Sequence, residues 1–221
     1  MIEKQEQPHL ASQSAAGVHN PLPARDHELV QIMDSTLADA TQRAGAWLVC
    51  RPGCTQCCIG AFAISQLDAA RLRYGLTTLE TLDPQRAHRV RERARGAMRR
   101  LSVSFPGNPA TGILAEGEDA EERFDGFANE EPCPVLDPAT GTCDLYASRP
   151  MTCRTFGPPV RTGGHDTLGV CELCFQGASE EEIAACEMEV DPGGLESALA
   201  EEFEKATGAR GKTIVAFCLL P

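Results

Sequence analysis

Large aromatic side chains are scarce in this chain: of 221 residues, one is Trp, two are Tyr and eight are Phe. A core built from such a sequence has few bulky anchors and leans on Ala, Leu and Val, with Trp47 and the phenylalanines supplying much of the large packing. No run approaches the roughly 20 consecutive apolar residues that span a bilayer. The opening MIEKQEQPHLASQSAA lacks the apolar segment of a secretory signal peptide. A cytoplasmic location is therefore expected, where thiols stay reduced. No Ser/His/Asp array, phosphate-cradling glycine loop or HExxH is evident, and nothing repeats beyond the cysteine spacing. Basic charge is in deficit, with 20 Lys and Arg against 32 Asp and Glu for a net charge of −12. Such a surface repels phosphate backbones and anionic lipid, so neither nucleic acid nor a membrane is an expected partner.

Cysteine is the exception to this sparseness. There are 11, an odd number that a pure disulfide framework would not use. Residues 50–58 read CRPGCTQCC and place Cys50, Cys54, Cys57 and Cys58 within nine positions. Cys133, Cys143 and Cys153 follow at intervals of ten, and Cys171 and Cys174 form a CxxC pair. Core packing asks for no such clustering, whereas thiolates at these spacings converge on zinc, on iron or on an iron–sulfur cluster. Cys50, Cys54, Cys57 and Cys58 make one local set; Cys133, Cys143, Cys153 and one of Cys171 or Cys174 make a second. Two four-ligand sites or one multinuclear centre both fit that count. Side chains of adjacent residues diverge, so Cys57 and Cys58 are not expected to share one mononuclear ion. Cys186 and Cys218 read as buried structural thiols. His88 and His165 are weak ligand candidates, His165 by its loop position near Cys171.

Local signals outline a mainly α fold with a small β-hairpin and a loop-rich cysteine metal centre, an irregular α+β architecture. Residues 1–25, carrying Pro8, Pro21 and Pro23, read as a flexible tail. Residues 26–221 read as a single cysteine-cluster domain with a helical and acidic insertion at about 77–130. Asp26 opens a helix with Leu29, Ile32, Met33, Leu37, Ala40, Ala44 and Trp47 at helical spacing, which leads into the first cysteine cluster. Ser65 and Asp68 predict a capped short helix that Gly75 ends. Asp83-Pro84 starts another helix with Val90, Ala94, Met98 and Leu101 on its apolar face. Its arginines suggest a solvated face or, as the next candidate, docking on an acidic segment of the same chain. Residues 102–132 read as an irregular acidic excursion with little core of its own, pinned by Phe124 and Phe127. The turn at Asp137-Pro138-Ala139-Thr140-Gly141 predicts a hairpin that brings Cys133 towards Cys143. A short helix carries Cys153, a Ser179–Glu182 capping box opens one carrying Ile183 and Met188, and Leu195 to about Thr207 forms another. Thr213 to Leu220 suggests a terminal strand.

The cysteine segments together resemble the CxxCxxCC family of zinc- or iron-chelating proteins, the YkgJ-like group that includes relatives of flagellin lysine N-methylase. The resemblance rests on residues 50–58, on Pro132 to Asp137, on Gly141-Thr142-Cys143 and Tyr146, and on Arg149-Pro150 with Cys153-Arg154 and Phe156, with Cys171 or Cys174 completing the pattern. It implies a zinc or iron centre, or a 4Fe-4S cluster, bound by Cys50, Cys54, Cys57, Cys58, Cys133, Cys143, Cys153, Cys171 and Cys174. It implies no settled reaction. A metal-binding protein without catalysis of its own is the expectation, and an iron–sulfur enzyme of redox or methyl-transfer type is the alternative. Arg149 and Arg154 would offset thiolate charge. The spacing C-x3-C-x2-C also occurs in radical S-adenosylmethionine enzymes, but Gln56 stands where an aromatic is usual and the chain is short for the required barrel. A thiol sensor based on Cys171 and Cys174 lacks a thioredoxin-like βαβ unit around it.

Overall fold

The computed structural model describes residues 20–161, 168–191 and 193–220, so His165 and most of the expected tail lie outside the described residues. About half of the chain is helical, and the strands described form three two-stranded antiparallel sheets. The architecture is mainly α within an α+β fold, as the sequence suggests.

The first helix, α1, spans Asp26–Ala44 and buries Leu29, Met33, Ala40 and Ala44. Asp26 does not cap it with its side chain; it turns inward to pair with the buried Arg71 at 2.6 Å. A 3₁₀ turn, Gly45–Trp47, leads from α1 to the first cysteines. Helix α2, Gln66–Leu82, begins at Ser65, whose hydroxyl accepts the Asp68 N–H. It occupies the middle of the molecule. Ala69, Leu72 and Leu76 face one core with Ala87, Val90 and Ala94 of α3 (Pro84–Leu101). Leu67 and Ala70 face a second core, against Leu29 and Met33 of α1 and Leu199 and Phe203 of α7 (Leu195–Thr207).

Gly75 does not end α2. The helix runs seven residues further, to Leu82, because Gly75 serves packing there: a Cβ at that position would lie 2.2 Å from Ser148 Oγ. Gly75→Ala should therefore lower the melting temperature even though Ala is the better helix former by about 1 kcal/mol. Overpacking of about 1–3 kcal/mol outweighs that gain. Adding Ser148→Gly should restore the loss, and a more stable single variant in thermal melts would refute the packing role.

The acidic excursion contains more structure than its composition suggests. Strands β1 (Gly107–Asn108) and β2 (Ile113–Leu114) pair, and α4 (Glu118–Asp125) follows. Phe105, Leu114 and Phe127 join Phe217 in a third core, with the Phe105 and Phe217 rings 4.3 Å apart. The arginines of α3 do dock on acidic groups of the same chain. Arg86 and Arg93 both pair with the buried Asp144, and Arg100 pairs with Glu131.

The expected hairpin forms from β3 (Leu136–Asp137) and β4 (Thr142–Cys143), with Leu136 opposite Cys143. Helix α5 is Met151–Thr155; β5 (Val160–Arg161) pairs with β6 (Leu168–Gly169). The Ser179–Glu182 capping box opens α6, Glu180–Ala185, which stops before Met188. Met188 instead enters the second core, its N–H bonded to Pro159 O. The chain end is not a strand. Thr213 makes one bridge with Ile64, after which Val215–Cys218 forms α8, because a short apolar run fits a buried helical turn as readily as a strand.

Candidate metal centre

Three chain segments meet around Cys50. The Trp47 carbonyl accepts the Phe175 N–H at 2.9 Å, and the Trp47 and Phe175 rings stack, so the end of the first helical segment clamps the Cys171–Cys174 turn. That turn is closed by the Cys174 N–H on Cys171 O at 2.8 Å. The Cys171 N–H reaches back to Gly157 O at 3.4 Å. Gly157, at φ +119°, gives the Cys50 sulfur room, since a Cβ there would stand 3.0 Å from it. The Gln56 side-chain amide donates to Glu172, joining the two cysteine loops at their rim. The result places Cys50 Sγ 4.0 Å from Cys174 Sγ. Four sulfurs around zinc at about 2.3 Å stand about 3.8 Å apart, so the observed separation is that of two ligands. Cys54 and Cys171 complete this neighbourhood, both close enough to Cys50 to raise its pKa through charge repulsion.

The second neighbourhood forms where Cys58 O accepts the Cys133 N–H at 2.7 Å and Ile59 bridges Pro132. The β3–β4 hairpin brings Cys143 alongside, and α5 carries Cys153 to the same place, where Cys57, Cys133 and Cys143 all act on it. Cys57 and Cys58 both belong here. The 3₁₀ turn Gln56–Cys58 holds their thiols together rather than letting them diverge, and both feel Cys133 and Cys143.

The structure thus divides the thiols differently from their order in the chain. Cys50 and Cys54 stand with Cys171 and Cys174, while Cys57 and Cys58 stand with Cys133, Cys143 and Cys153. The first set borders the small core of Ala44, Phe175 and Cys186; the second packs against the central core through Cys133 and Cys143. Among the described residues no three of these groups already converge at metal-binding separation. Cys186 is buried in the small core, and Cys218 is buried in the central core with its thiol on Val215 O at 3.5 Å, as expected of structural cysteines.

The donor chemistry fits a metal. The N–H of Val135 is directed at the Cys133 sulfur, that of Leu145 at Cys143 and that of Leu173 at Cys171, each two residues further along. Such bonds favour thiolate over thiol. Burial works the other way: it is the main cause that pushes Cys50 and Cys133 up to about 12 and raises Cys143, Cys153 and Cys171. Neighbouring thiols add to the rise. A hydrogen bond with Cys58 lowers Cys57 to about 6, with the Arg149 guanidinium assisting, and correspondingly raises Cys58. Sulfurs collected this closely repel one another when ionised, and a bound cation removes that penalty.

These directions set a pH profile for the metal-free, reduced protein. An unfolded thiol ionises near about 8.5. Cys57, lowered to about 6 in the fold, makes stability rise with pH between about 6 and 8.5. Cys50 and Cys133 keep their protons in the fold, so stability falls between about 8.5 and 12. Urea midpoints should peak in the middle of this range, and a midpoint still rising at pH 10 would contradict the assignment.

Sequence reasoning singled out Arg149 and Arg154 but missed their common partner. Arg149 lies over the Tyr146 ring at 4.0 Å and pairs with Asp34 at 3.0 Å. The fully buried Arg154 bonds both oxygens of Asp34, at 2.6 and 2.8 Å, and Ala147 O at 2.6 Å. Asp34 is a polar residue in the middle of α1, and nothing in the local sequence distinguishes it from a solvated one. Asp144, next to Cys143, is the second such residue.

Two sets of thiols stand on a helical scaffold with a small hairpin. The chain belongs to the CxxCxxCC family, described as "Putative zinc- or iron-chelating domain", which it matches over residues 49–174. No curated protein matches the chain, and no solved structure does. No described helix is long and apolar enough to cross a membrane.

Proposed function

We propose that this protein holds metal at two adjacent thiolate centres and that its role is metal binding rather than catalysis by acid–base groups. The division of the thiols into two spatial sets carries the reading. Cys50, Cys54, Cys171 and Cys174 supply the four sulfurs of a closed tetrahedral zinc site, in the two-plus-two arrangement of separated turns. Cys57, Cys58, Cys133, Cys143 and Cys153 supply a second centre for zinc or iron, with Arg149 beside Cys57 and Cys143 to offset its charge. Metal binding releases protons from these thiols, so affinity falls as pH falls. The cell compartment that fits reduced thiols is the cytoplasm.

An iron–sulfur enzyme of redox or methyl-transfer type is the second reading. One observation favours it: the second set holds five thiols, one more than a single tetrahedral ion uses. Bound there, such a cluster would supply electron transfer, while the chain would supply sulfur ligands and a compensating cation.

Elemental analysis and absorption spectroscopy on protein purified without oxygen decide the metal. Colourless protein with zinc in both centres supports the first reading and removes the cluster. Brown protein containing iron and acid-labile sulfide would establish the cluster in the second set. Protein with neither metal would overturn both.

A further inference from the structure

The two thiol sets differ in access. Cys50 is exposed, whereas its neighbours Cys171 and Cys174 are buried. An open groove of about 280 Å³ passes beside this set, lined by Val49, Arg51, Cys54, Gln56 and Leu173 among others. In the second set all five thiols are intermediate in exposure, and Cys133 and Cys143 pack against the central core. Cys50 Sγ and Cys174 Sγ already stand 4.0 Å apart, although 124 residues separate them in the chain. A disulfide needs about 2.05 Å between the sulfurs, so the two must approach by about 2 Å more.

We infer that Cys50 and Cys174 form a peroxide-responsive disulfide that dismantles the first metal centre while leaving the second intact. The inference rests on the two-centre reading above. Hydrogen peroxide reaches the exposed Cys50 from solvent. The Cys50 thiolate attacks the peroxide O–O bond, giving a sulfenic acid on Cys50 and releasing hydroxide. The Cys174 thiolate then attacks the Cys50 sulfur, the S–O bond breaks and a second hydroxide leaves. Two electrons pass from the two sulfurs to one peroxide, and two protons from solvent neutralise the hydroxides. Joined sulfurs are no longer thiolate ligands, so two donors of the four remain, Cys54 and Cys171. The CxxC pair is not the first to close on this account, because both of its thiols are buried and Cys50 is the exposed member of the set.

The test starts from protein purified without oxygen, with zinc and iron counted before any oxidant is added. Hydrogen peroxide is then added stepwise. A chromogenic chelator follows metal release, and peptide mass spectrometry maps the disulfides. Expected are a first disulfide between Cys50 and Cys174 and the release of about one ion per chain, with the metal of the second set retained. Cys50→Ser begins with three donors, so only its map is read, and its first crosslink should appear at least ten-fold more slowly. A first disulfide between Cys171 and Cys174, or within the second set, would overturn the inference. So would a Cys50–Cys174 bond that forms while all metal stays bound. Protein holding no metal before oxidation would instead defeat the two-centre reading, and the metal-release step with it.

Discussion

Asp34→Ala should destabilise the protein by about 3 kcal/mol, a cost set by what the substitution leaves behind rather than by what it removes. Asp34 is itself half-exposed, at 45% of its side-chain surface, but Arg154 is buried to 1% and receives its charge compensation from that carboxylate. Without Asp34 the guanidinium keeps its hydrogen bond to the Ala147 carbonyl, and burial with the nearby Arg149 and Arg71 already lowers its pKa. A chain of this length loses about 2–4 °C of melting temperature per kcal/mol, so a fall of about 6–12 °C is expected. Asp34→Asn, which keeps the shape but not the charge, should recover little. Because Arg149 shares Asp34 and stands by Cys57 and Cys143, the variant should also weaken metal retention by the second set. Unchanged melting in Asp34→Ala would show that the Arg154 pairing contributes nothing.

Stripping the metal should have an effect of similar or larger size. Ligand present at a thousand times its dissociation constant stabilises the fold by about 4 kcal/mol, so a strong chelator should lower the melting temperature by about 8–16 °C. The loss should be felt in the central core more than at the far end of α7. Cys133 and Cys143 hold the hairpin against Val135, Leu145 and α3, whereas Leu199 and Phe203 pack with α1 on the other side of α2. Hydrogen exchange on the chelated protein should therefore accelerate in the amides of Val135 and Asp144 before those of α7. A uniform acceleration would mean that the metal stabilises the molecule only as a whole.

Much of this fold is legible in local chemistry. Asp83-Pro84 starts α3, the Ser179–Glu182 box starts α6 and the Asp137–Gly141 turn makes the hairpin, because each signal satisfies its own backbone groups without help from distant residues. Gly75 misleads for the opposite reason: its missing Cβ answers to Ser148, 73 positions away in the chain by subtraction of the two residue numbers, and sequence carries no mark of that contact. The cysteines show the same division. Their spacing marks nine thiols as candidates, but chain order does not reveal that Cys50 and Cys54 stand with Cys171 and Cys174. Cys54 and Cys57 are neighbours in sequence and part company in space, since the 3₁₀ turn Gln56–Cys58 directs the vicinal pair towards Cys133 while Cys54 stays with the loop clamped by Phe175. The arginines of α3 likewise reveal their purpose only through Asp144 and Glu131, which other segments supply.

Separate thiol sets are the centre of this account, and metal counting in two single variants tests them most directly. Wild-type protein, Cys54→Ser and Cys143→Ser are purified without oxygen and their zinc and iron measured per chain. Cys54→Ser should lose only the metal of the first set and retain the second centre in full. Cys143→Ser should do the reverse, with a larger fall in melting temperature because its set adjoins the central core. Equal and complete loss in both variants would mean one shared centre, and full metal content in both would mean that these cysteines hold none.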